Sequence, residues 1–463
     1  MNENLNEHQN KVGLLKHDVI RAFKNGQKIK IKHGSTNSTR PQYDLDLKEI
    51  DTSSLNSVIE INTKDHYVIV EPNVPMDLLV DTTLGYGLVP PIVTEFPGIT
   101  VGGAVMGGAG ESSSFKYGCF SEICLEYEVI LGDGTMRSVS STKNKDLFEG
   151  IASSYGTLGI ITQIKIKLIP CKRFVKLKYQ RVNNSSVAVK MLEDETKSKI
   201  DFINGIMFSK TQGVIMSGNF TNSTDGFLVS TFHKARDEWF YLHAQSISTN
   251  HDKYEELIPI KDYLFRYDRG AFWTGKFGFD IYHVPFLRSL RILFAWIFKT
   301  RRLFKFLHGS NLSYQYLIQD LCMPKQSFVQ FTNFVDKKYG VYPLWLCPLK
   351  PNKREFLSPN YSDSDLIINI GIYGNLKAKV ESRVAQNSLL ENKVRALGGR
   401  KVLYAHSYYS EDSFWSIYDL KYYEELRQKY NASLTLPTLF HKISVHGNTK
   451  SSLTKGWARL LVG

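Results

Sequence analysis

The densest chemistry in the sequence lies in the run Thr100-Val-Gly-Gly-Ala-Val-Met-Gly-Gly-Ala-Gly-Glu-Ser-Ser-Ser114. A pyrophosphate is held by backbone N–H groups brought close to it, and only glycine or other small residues permit that approach. Gly102, Gly103, Gly107, Gly108 and Gly110 supply such positions, and Ser112, Ser113 and Ser114 add hydroxyls. The spacing is neither the strand–GxGxxG–helix of a nicotinamide-binding unit nor the GxxxxGK[ST] of a P-loop. Read alone, the run could equally be a tight turn that packs two elements together. A second small-residue stretch, His33-Gly-Ser-Thr-Asn-Ser-Thr-Arg40, follows an alternating segment at Lys28–Lys32, as a strand would enter a phosphate-binding loop.

The surrounding pattern supplies elements to position these loops. Lys11–Lys24 reads as an amphipathic helix, and Ser57–Asn62 and Tyr67–Glu71 read as strands. A helix over Pro75–Gly85 begins on proline, which a first helical turn tolerates. Cys124–Leu131 and Met136–Val139 read as a hairpin about Gly132-Asp-Gly134. Asp146–Ala152 reads as a short helix, and Gly156-Thr-Leu-Gly159 leads into a strand at Ile160–Ile169. After Pro170-Cys171 glycine becomes scarcer and aromatics commoner, which marks a domain boundary. Short helices are expected at Glu411–Tyr418 and Tyr422–Tyr430. Residues 1–172, 173–397 and 398–463 are expected to be a ligand-binding domain, a cap over it, and a segment that returns to the first domain.

Composition narrows the class. The 463 residues are too many for one ordinary core, and 42% hydrophobic with 22% charged residues describes a folded chain. A net charge of +13 calls for an anionic partner. No zinc-finger spacing or aromatic RNA-binding signature accompanies it, so no nucleic acid is expected. The five cysteines are irregularly spaced and read as reduced thiols. No metal site is expected. Met1–Lys30 reads as neither a signal peptide nor an anchor, and no run is long and apolar enough to span a bilayer. The protein is expected to be cytoplasmic and peripheral on a membrane. Val284–Leu307 would make that contact, as a basic interfacial helix with Phe, Leu and Trp and no acidic residue.

Several motifs in their order identify a family. Beyond the two loops they are Gly110-Glu-Ser-Ser-Ser-Phe-Lys-Tyr-Gly118, Gly156-Thr-Leu-Gly-Ile-Ile161, Pro170-Cys-Lys-Arg-Phe-Val-Lys-Leu177, Val341-Tyr-Pro-Leu-Trp-Leu-Cys-Pro348, Ile368-Asn-Ile-Gly-Ile-Tyr-Gly374 and Leu426-Arg-Gln-Lys-Tyr430. The chain resembles the vanillyl-alcohol-oxidase superfamily, with its PCMH-type FAD-binding domain, and within it the delta-24-sterol reductases. The resemblance runs from about Lys28 to Ile443. It implies an α+β, two-domain PCMH-type FAD-binding fold with an antiparallel-sheet cap that carries the substrate. It also implies FAD along Gly34, Ser35, Thr36, Asn37 and Ser38; then Thr100, Val101, Gly102, Gly103, Gly107, Gly108, Ala109, Gly110, Ser112 and Ser113; then Tyr117 and Gly118. The adenine end would lie near Gly159, Ile160 and Ile161. Asn37 stands where many members carry the histidine that attaches FAD, so a non-covalent cofactor is implied.

Reductases of this kind take hydride from NADPH onto the flavin and pass it to a carbon–carbon double bond, so the chain is expected to reduce a sterol or other lipid. That reaction needs a proton donor at the alkene. Candidates are Lys429, Tyr373, Tyr404 and His406. Lys429 matches a lysine that reaches the flavin region in related decaprenylphosphoryl ribose oxidases; on the residues alone it could equally be a solvated helix position beside Glu424 and Glu425. The substrate is expected in an aromatic cavity near Tyr342 and Trp345. Glu111, repelled by a pyrophosphate, should turn away or cap a turn, and Lys116 could offset cofactor charge. Arg266 and Arg269 could hold an anionic substrate or the NADPH phosphate, or pair with Asp262 or Asp268. An oxidase or dehydrogenase of an alcohol or lipid-linked sugar, and a flavin-free lipid-binding protein, are the alternative readings.

Overall fold

The computed structural model describes residues 2–33, 37–40, 47–375, 380–444 and 451–462. Gly34, Ser35 and Thr36 lie outside them.

The N-terminal half is built on a five-stranded antiparallel sheet. Its strands run in the order Val58–Asn62, Tyr67–Val70, Ile160–Lys167, Cys124–Ile130, Met136–Ser140. In Ile160–Lys167 the isoleucines at 160, 164 and 166 are buried while the lysines at 165 and 167 reach outward, the period of a half-buried strand. A parallel pair, Ile29–Lys32 with Lys48–Asp51, lies beside this sheet. The first helix runs over Asn2–Lys24, longer than its apolar stripe alone suggests. Its N-terminal part is held by His8, which meets Glu71 at 2.8 Å.

The second sheet has eight strands. Three of them, Tyr316–Pro324, Leu344–Leu349 and Ile367–Asn375, are neighbours through Ile367–Asn375. Their side chains divide between two faces with period two. Leu317, Leu321, Met323, Leu344, Leu346, Ile368, Ile370 and Ile372 join one apolar cluster with Phe328, Phe331, Leu390 and Val394 of the covering helices. Cys322, Trp345, Cys347 and Tyr373 face the other way, into the core shared with the first half. The architecture is α+β, as the resemblance implies.

Three expectations need correction. First, the glycine run is largely helical: Val101–Gly107 is a helix whose N-cap, Thr100, accepts from Gly103 N–H. The helix ends at Gly108 with φ +61°, where a Cβ would lie 2.5 Å from Ser153 Oγ, so only glycine fits. Second, Val284–Leu307 is not one helix. It folds as Arg288–Leu293 and Thr300–Ser310, separated by a non-helical turn. The break lets Ala295 and Phe298 turn into the core. Third, the last segment does not return to the first half alone. Arg400–Lys401 pairs with Leu321–Cys322 of the second sheet, and Leu453–Val462 packs on Thr300–Ser310, with Trp457 and Phe306 rings 5.3 Å apart. Between them Arg427 donates to Thr157 O at 2.8 Å and Thr435 to Gly132 O at 2.7 Å, tying Leu420–Lys429 and Ala432–Thr435 to the first half.

Candidate active site

The glycine helix presents one open side. Gly103 and Gly107 lie four residues apart, hence on one face. A Cβ on Gly107 would meet nothing nearer than Tyr155 Oη at 3.9 Å, and one on Gly103 only Thr100 Oγ1 at 3.0 Å. Gly102 faces the opposite way, with Pro72 Cβ only 2.7 Å from where its own Cβ would lie. The first loop comes alongside: a Cβ on Gly98 would sit 3.6 Å from Asn37 Nδ2. A cavity of about 460 Å³ opens here, lined by residues including Thr100, Gly98 and Asn73.

Two cations flank the open side. Tyr155 donates to Gly107 O at 3.3 Å, its ring lies 5.0 Å from the Arg40 guanidinium, and its carbonyl accepts from Lys442 Nζ. Burial, aided by Arg40, pushes the Lys442 ammonium down to about 8. Two buried hydroxyls with no partner among the described residues, Thr39 Oγ1 and Ser153 Oγ, border the same region. A backbone open at glycines, flanked by cations and unsatisfied hydroxyls, suits the pyrophosphate of a dinucleotide. Sequence reasoning passed over Lys442 and Tyr155, since nothing local marks either.

The serines behave differently from expectation, because their hydroxyls are engaged within the protein. Ser113 Oγ donates to Pro91 O at 2.8 Å, Ser114 Oγ accepts from Glu111 N–H at 2.9 Å, and Ser112 Oγ accepts from Tyr263 at 3.0 Å. Val101 is fully buried, while Ala109 and Gly110 are half-buried at the end of the run. Tyr117 is half-buried, and Gly118 turns the chain at φ +83°. Lys116 is exposed and lies 3.5 Å from Asp201. Gly159, Ile160 and Ile161 enter the first sheet, where Gly159 packs tightly on Val129.

Glu111, expected to turn away from the pyrophosphate or cap a turn, is held inside the protein and also accepts from Ser112 N–H. It forms a buried ion pair with Arg266 at 2.8 Å, and Arg266 is stacked against Tyr263 at 4.2 Å and Tyr267 at 4.7 Å. That pairing replaces the substrate or NADPH role considered for Arg266. Arg269 instead donates to Asp237 O and Ala235 O, at 2.7 and 2.8 Å.

Of the four expected proton donors, the structure joins two through a shared carboxylate, Asp320. Tyr373 Oη donates to both oxygens of Asp320 at 3.0 Å, and Tyr404 Oη donates to Oδ2 at 2.6 Å. Asn369 donates to Oδ1 at 3.1 Å. Burial, followed by the charge of Asp320, pushes both phenols well above their usual range. Burial also raises Asp320, against the opposing effect of these three donors. The Tyr404 carbonyl accepts from Ser38 Oγ at 2.7 Å and Thr39 N–H at 3.2 Å, so the cofactor loop and the tyrosine pair are one assembly. His406 is buried against Tyr314, with ring centres 4.3 Å apart, and burial together with Lys401 and Arg40 pushes it down to about 3. It is therefore a neutral imidazole. Lys429 lies apart from these groups, 60% exposed and paired with Asp146 at 2.7 Å.

The expected aromatic cavity also needs correction. Trp345 joins Phe272, Tyr373 and Trp273, with Phe272 5.3 Å from both Trp345 and Tyr373. Tyr342 packs with the helix-side cluster instead and donates to Asp336 at 3.2 Å.

Residues 18–140 match the family model described as an FAD binding domain. The Delta(24)-sterol reductase of Homo sapiens is 31% identical over 400 residues, covering 84% of this chain and 76% of that protein. The chain belongs to the delta(24)-sterol reductase family. It is an FAD-dependent oxidoreductase. The family likeness extends to the Delta(24)-sterol reductase homolog dhcr-24 of Caenorhabditis elegans, 28% identical over 96% of this chain and 88% of that one. The Delta(24)-sterol reductase of Pisum sativum is 27% identical over 85% and 76%. In this member of the family, the matched FAD segment contains both the first loop and the glycine helix.

Proposed function

We propose that this protein reduces a side-chain carbon–carbon double bond of a sterol, with NADPH as the electron donor. The observation that carries the reading is the tie between the cofactor loop and one face of the eight-stranded sheet: Ser38 and Thr39 donate to the Tyr404 carbonyl, and Tyr404 Oη donates to Asp320. That face combines buried aromatic side chains (Phe272, Trp273, Trp345) with a buried Asp320–Tyr373–Tyr404 cluster. An aromatic surrounding suits the apolar substrate named by the relatives, and acidic side chains suit the proton that a double-bond reduction consumes.

The residues fit FAD. Gly103, Gly107 and the Asn37–Arg40 segment would line its pyrophosphate, with Arg40 and Lys442 balancing the charge. Residues 1–172 would form the cofactor domain and 173–397 the cap, with 398–463 shared between them. Asn37 offers an amide where a covalent bond would need a nucleophilic imidazole, which supports non-covalent binding. Bound FAD supplies a carrier that accepts hydride from the nicotinamide and delivers it to carbon. The chain's own part is to exclude water with these aromatic side chains, orient the alkene against the cluster, and provide a proton. A finer expectation is peripheral membrane contact at residues 284–307, which would give access to a bilayer-dissolved sterol. Its support is the exposure of Leu287, Ile292, Leu293 and Trp296 beside Arg288 and Arg302. Among the described residues no helix is long and apolar enough to cross a membrane.

Anaerobic mixing of the purified flavoprotein with NADPH should bleach the flavin absorbance. Adding a Δ24-unsaturated sterol should then restore the yellow form and give the saturated sterol by mass spectrometry. Failure of NADPH to bleach the flavin, or reoxidation only by oxygen or a quinone, would overturn the proposal in favour of an oxidase or dehydrogenase.

A further inference from the structure

Asp320 belongs to none of the sequence motifs above. It lies in the strand Tyr316–Pro324, where the register sets it opposite Gly371 of Ile367–Asn375, and Gly371 in turn opposite Trp345. A Cβ on Gly371 would lie 2.6 Å from Tyr373 Oη and 3.1 Å from Asp320 Oδ1. A glycine inside a strand marks a close approach of other groups, and here the phenol and the carboxylate fill the space a side chain would take. Among the described residues no cation pairs with Asp320; the groups that hold it are three neutral donors, Tyr373, Tyr404 and Asn369. The other titratable groups that face it are Cys322 on its own strand and Glu95 on the loop ahead of the glycine helix. Asp320 is 6% exposed, so burial favours its neutral acid while the three donors favour the carboxylate.

The two tyrosines on this carboxyl are not equivalent. Tyr373 is enclosed: its ring packs on Phe272 and Trp273, with centres 5.3 and 5.4 Å apart, and its backbone carbonyl accepts from Trp273 Nε1 at 2.8 Å. Its hydroxyl spans both oxygens of Asp320. Tyr404 keeps accessible surface, and its backbone carbonyl is held by Ser38 Oγ and Thr39 N–H of the cofactor loop. Tyr404 therefore connects that loop to the carboxyl. Its Oη lies 2.6 Å from Asp320 Oδ2, the short separation of a strong O–H···O bond. When the carboxyl carries the proton, the same bond runs from Oδ2–H to Oη, and the phenol's own proton is free to turn away from Asp320.

Resting on the proposed reduction, we infer that Tyr404 is the catalytic residue that protonates the double bond, and that Asp320 is the positioning residue that turns the phenol and replaces its proton. In that step the alkene π bond breaks. One carbon receives the hydride, and the other forms a C–H bond with the phenolic proton of Tyr404. The O–H electron pair stays on Oη, which takes the Asp320 carboxyl proton along their shared hydrogen bond. Tyr404 ends neutral, and Asp320 ends as a carboxylate that accepts from Tyr373, Asn369 and Tyr404, the three donors its charged form needs. Water restores the carboxyl proton before the next turnover. The net uptake is one hydride from NADPH and one proton from solvent.

The test separates the two half-reactions of the holoenzyme. Sterol-dependent reoxidation is followed after NADPH has bleached the flavin, so that only loaded and reduced enzyme is compared. Tyr404→Phe should slow this step by about 100-fold or more, the range of a lost general acid, whereas Tyr373→Phe should slow it by well under that. In the wild type the step should fall as pH rises through the titration of Asp320, because the acid form is the active one. That limb should be absent in Asp320→Asn, a change that a merely structural role would not produce. Difference infrared spectra of the wild type should show a protonated carboxyl that titrates over the same pH window and is missing from Asp320→Asn. Equal reoxidation by Tyr404→Phe and the wild type, an equal loss in Tyr373→Phe, or an unchanged pH limb in Asp320→Asn would each overturn the inference and leave the reductase reading standing. Should Asp320→Asn lose its flavin, the comparison of the two tyrosine variants decides. Failure of NADPH to bleach even the wild type would overturn the reductase reading itself.

Discussion

At Lys442 an ammonium is buried beside the Arg40 guanidinium, an arrangement that disfavours charge until an anion arrives. The free protein therefore holds this lysine at about 8. Its ammonium is present below that pH and lost above it, while a bound pyrophosphate would raise it again. Cofactor binding then takes up a proton near pH 8, and affinity should fall as pH rises through that value. Fluorescence titration of the apoprotein with FAD should show affinity roughly tenfold weaker once the charge is gone, equivalent to about 1.4 kcal/mol. Lys442→Met should bind weakly at pH 7 and show no such fall. A pH-independent wild-type affinity between 7 and 9 would remove Lys442 from the cofactor site. The residue illustrates what local sequence conceals. Its neighbours contain no phosphate-binding pattern, and it reaches Tyr155 only because the chain returns from 287 residues away.

At the scale of elements, the Glu111–Arg266 pair links the cofactor segment to the stretch Tyr263–Trp273. Both groups are buried, so their value depends on each other: a lone survivor would be an unpaired charge in the core. Glu111→Gln and Arg266→Met should each lower stability by about 3–5 kcal/mol. The double variant should lose much less, because it removes both charges together. Chemical denaturation of the four proteins measures the coupling, and additive losses would show that the pair does not act as a unit. The sequence made both residues conspicuous but paired them wrongly. It offered Asp262 and Asp268 as nearby partners for Arg266, whereas Asp262 accepts from Phe232 N–H and Asp268 from Thr300. Charge spacing along a chain speaks for helices and hairpins; it says little about a loop facing a different domain. The glycine run shows a related limit. Its composition revealed an open backbone, but the helix within it depends on the Thr100 cap and on the Pro72 and Ser153 surfaces that accept its glycines.

For the whole molecule, the broken segment 284–307 is the element that would meet a bilayer. Two of its arginines are paired: buried Arg291 with Glu238 at 2.8 Å, and exposed Arg301 with Asp77 at 2.6 Å. Arg288, Arg302 and Lys305 remain exposed around Trp296 and Leu293. Each basic residue near an anionic surface contributes about 1 kcal/mol. Sedimentation with phosphatidylserine vesicles should therefore retain the protein at low salt. Replacing Leu293 and Trp296 with Ser should reduce binding roughly tenfold or more without changing flavin content. Equal sedimentation of the variant, or none of the wild type, would count against this surface.

Local periodicity in the sequence by itself determined most elements of the first half, while the fold class and the cofactor were implied by the resemblance of its ordered motifs to a known family. The periodicity is legible because its backbone requirements do not depend on distant residues. Tertiary structure decided the chemistry around the cofactor. Period-two alternation turned Asp320 and Tyr373 toward the first half while their chain neighbours faced the helices, and the returning segment placed Tyr404 on the same carboxylate. It left Lys429 at the surface with Asp146. Proton affinity is set by burial and by charges nearby in space, and a linear pattern does not encode that neighbourhood.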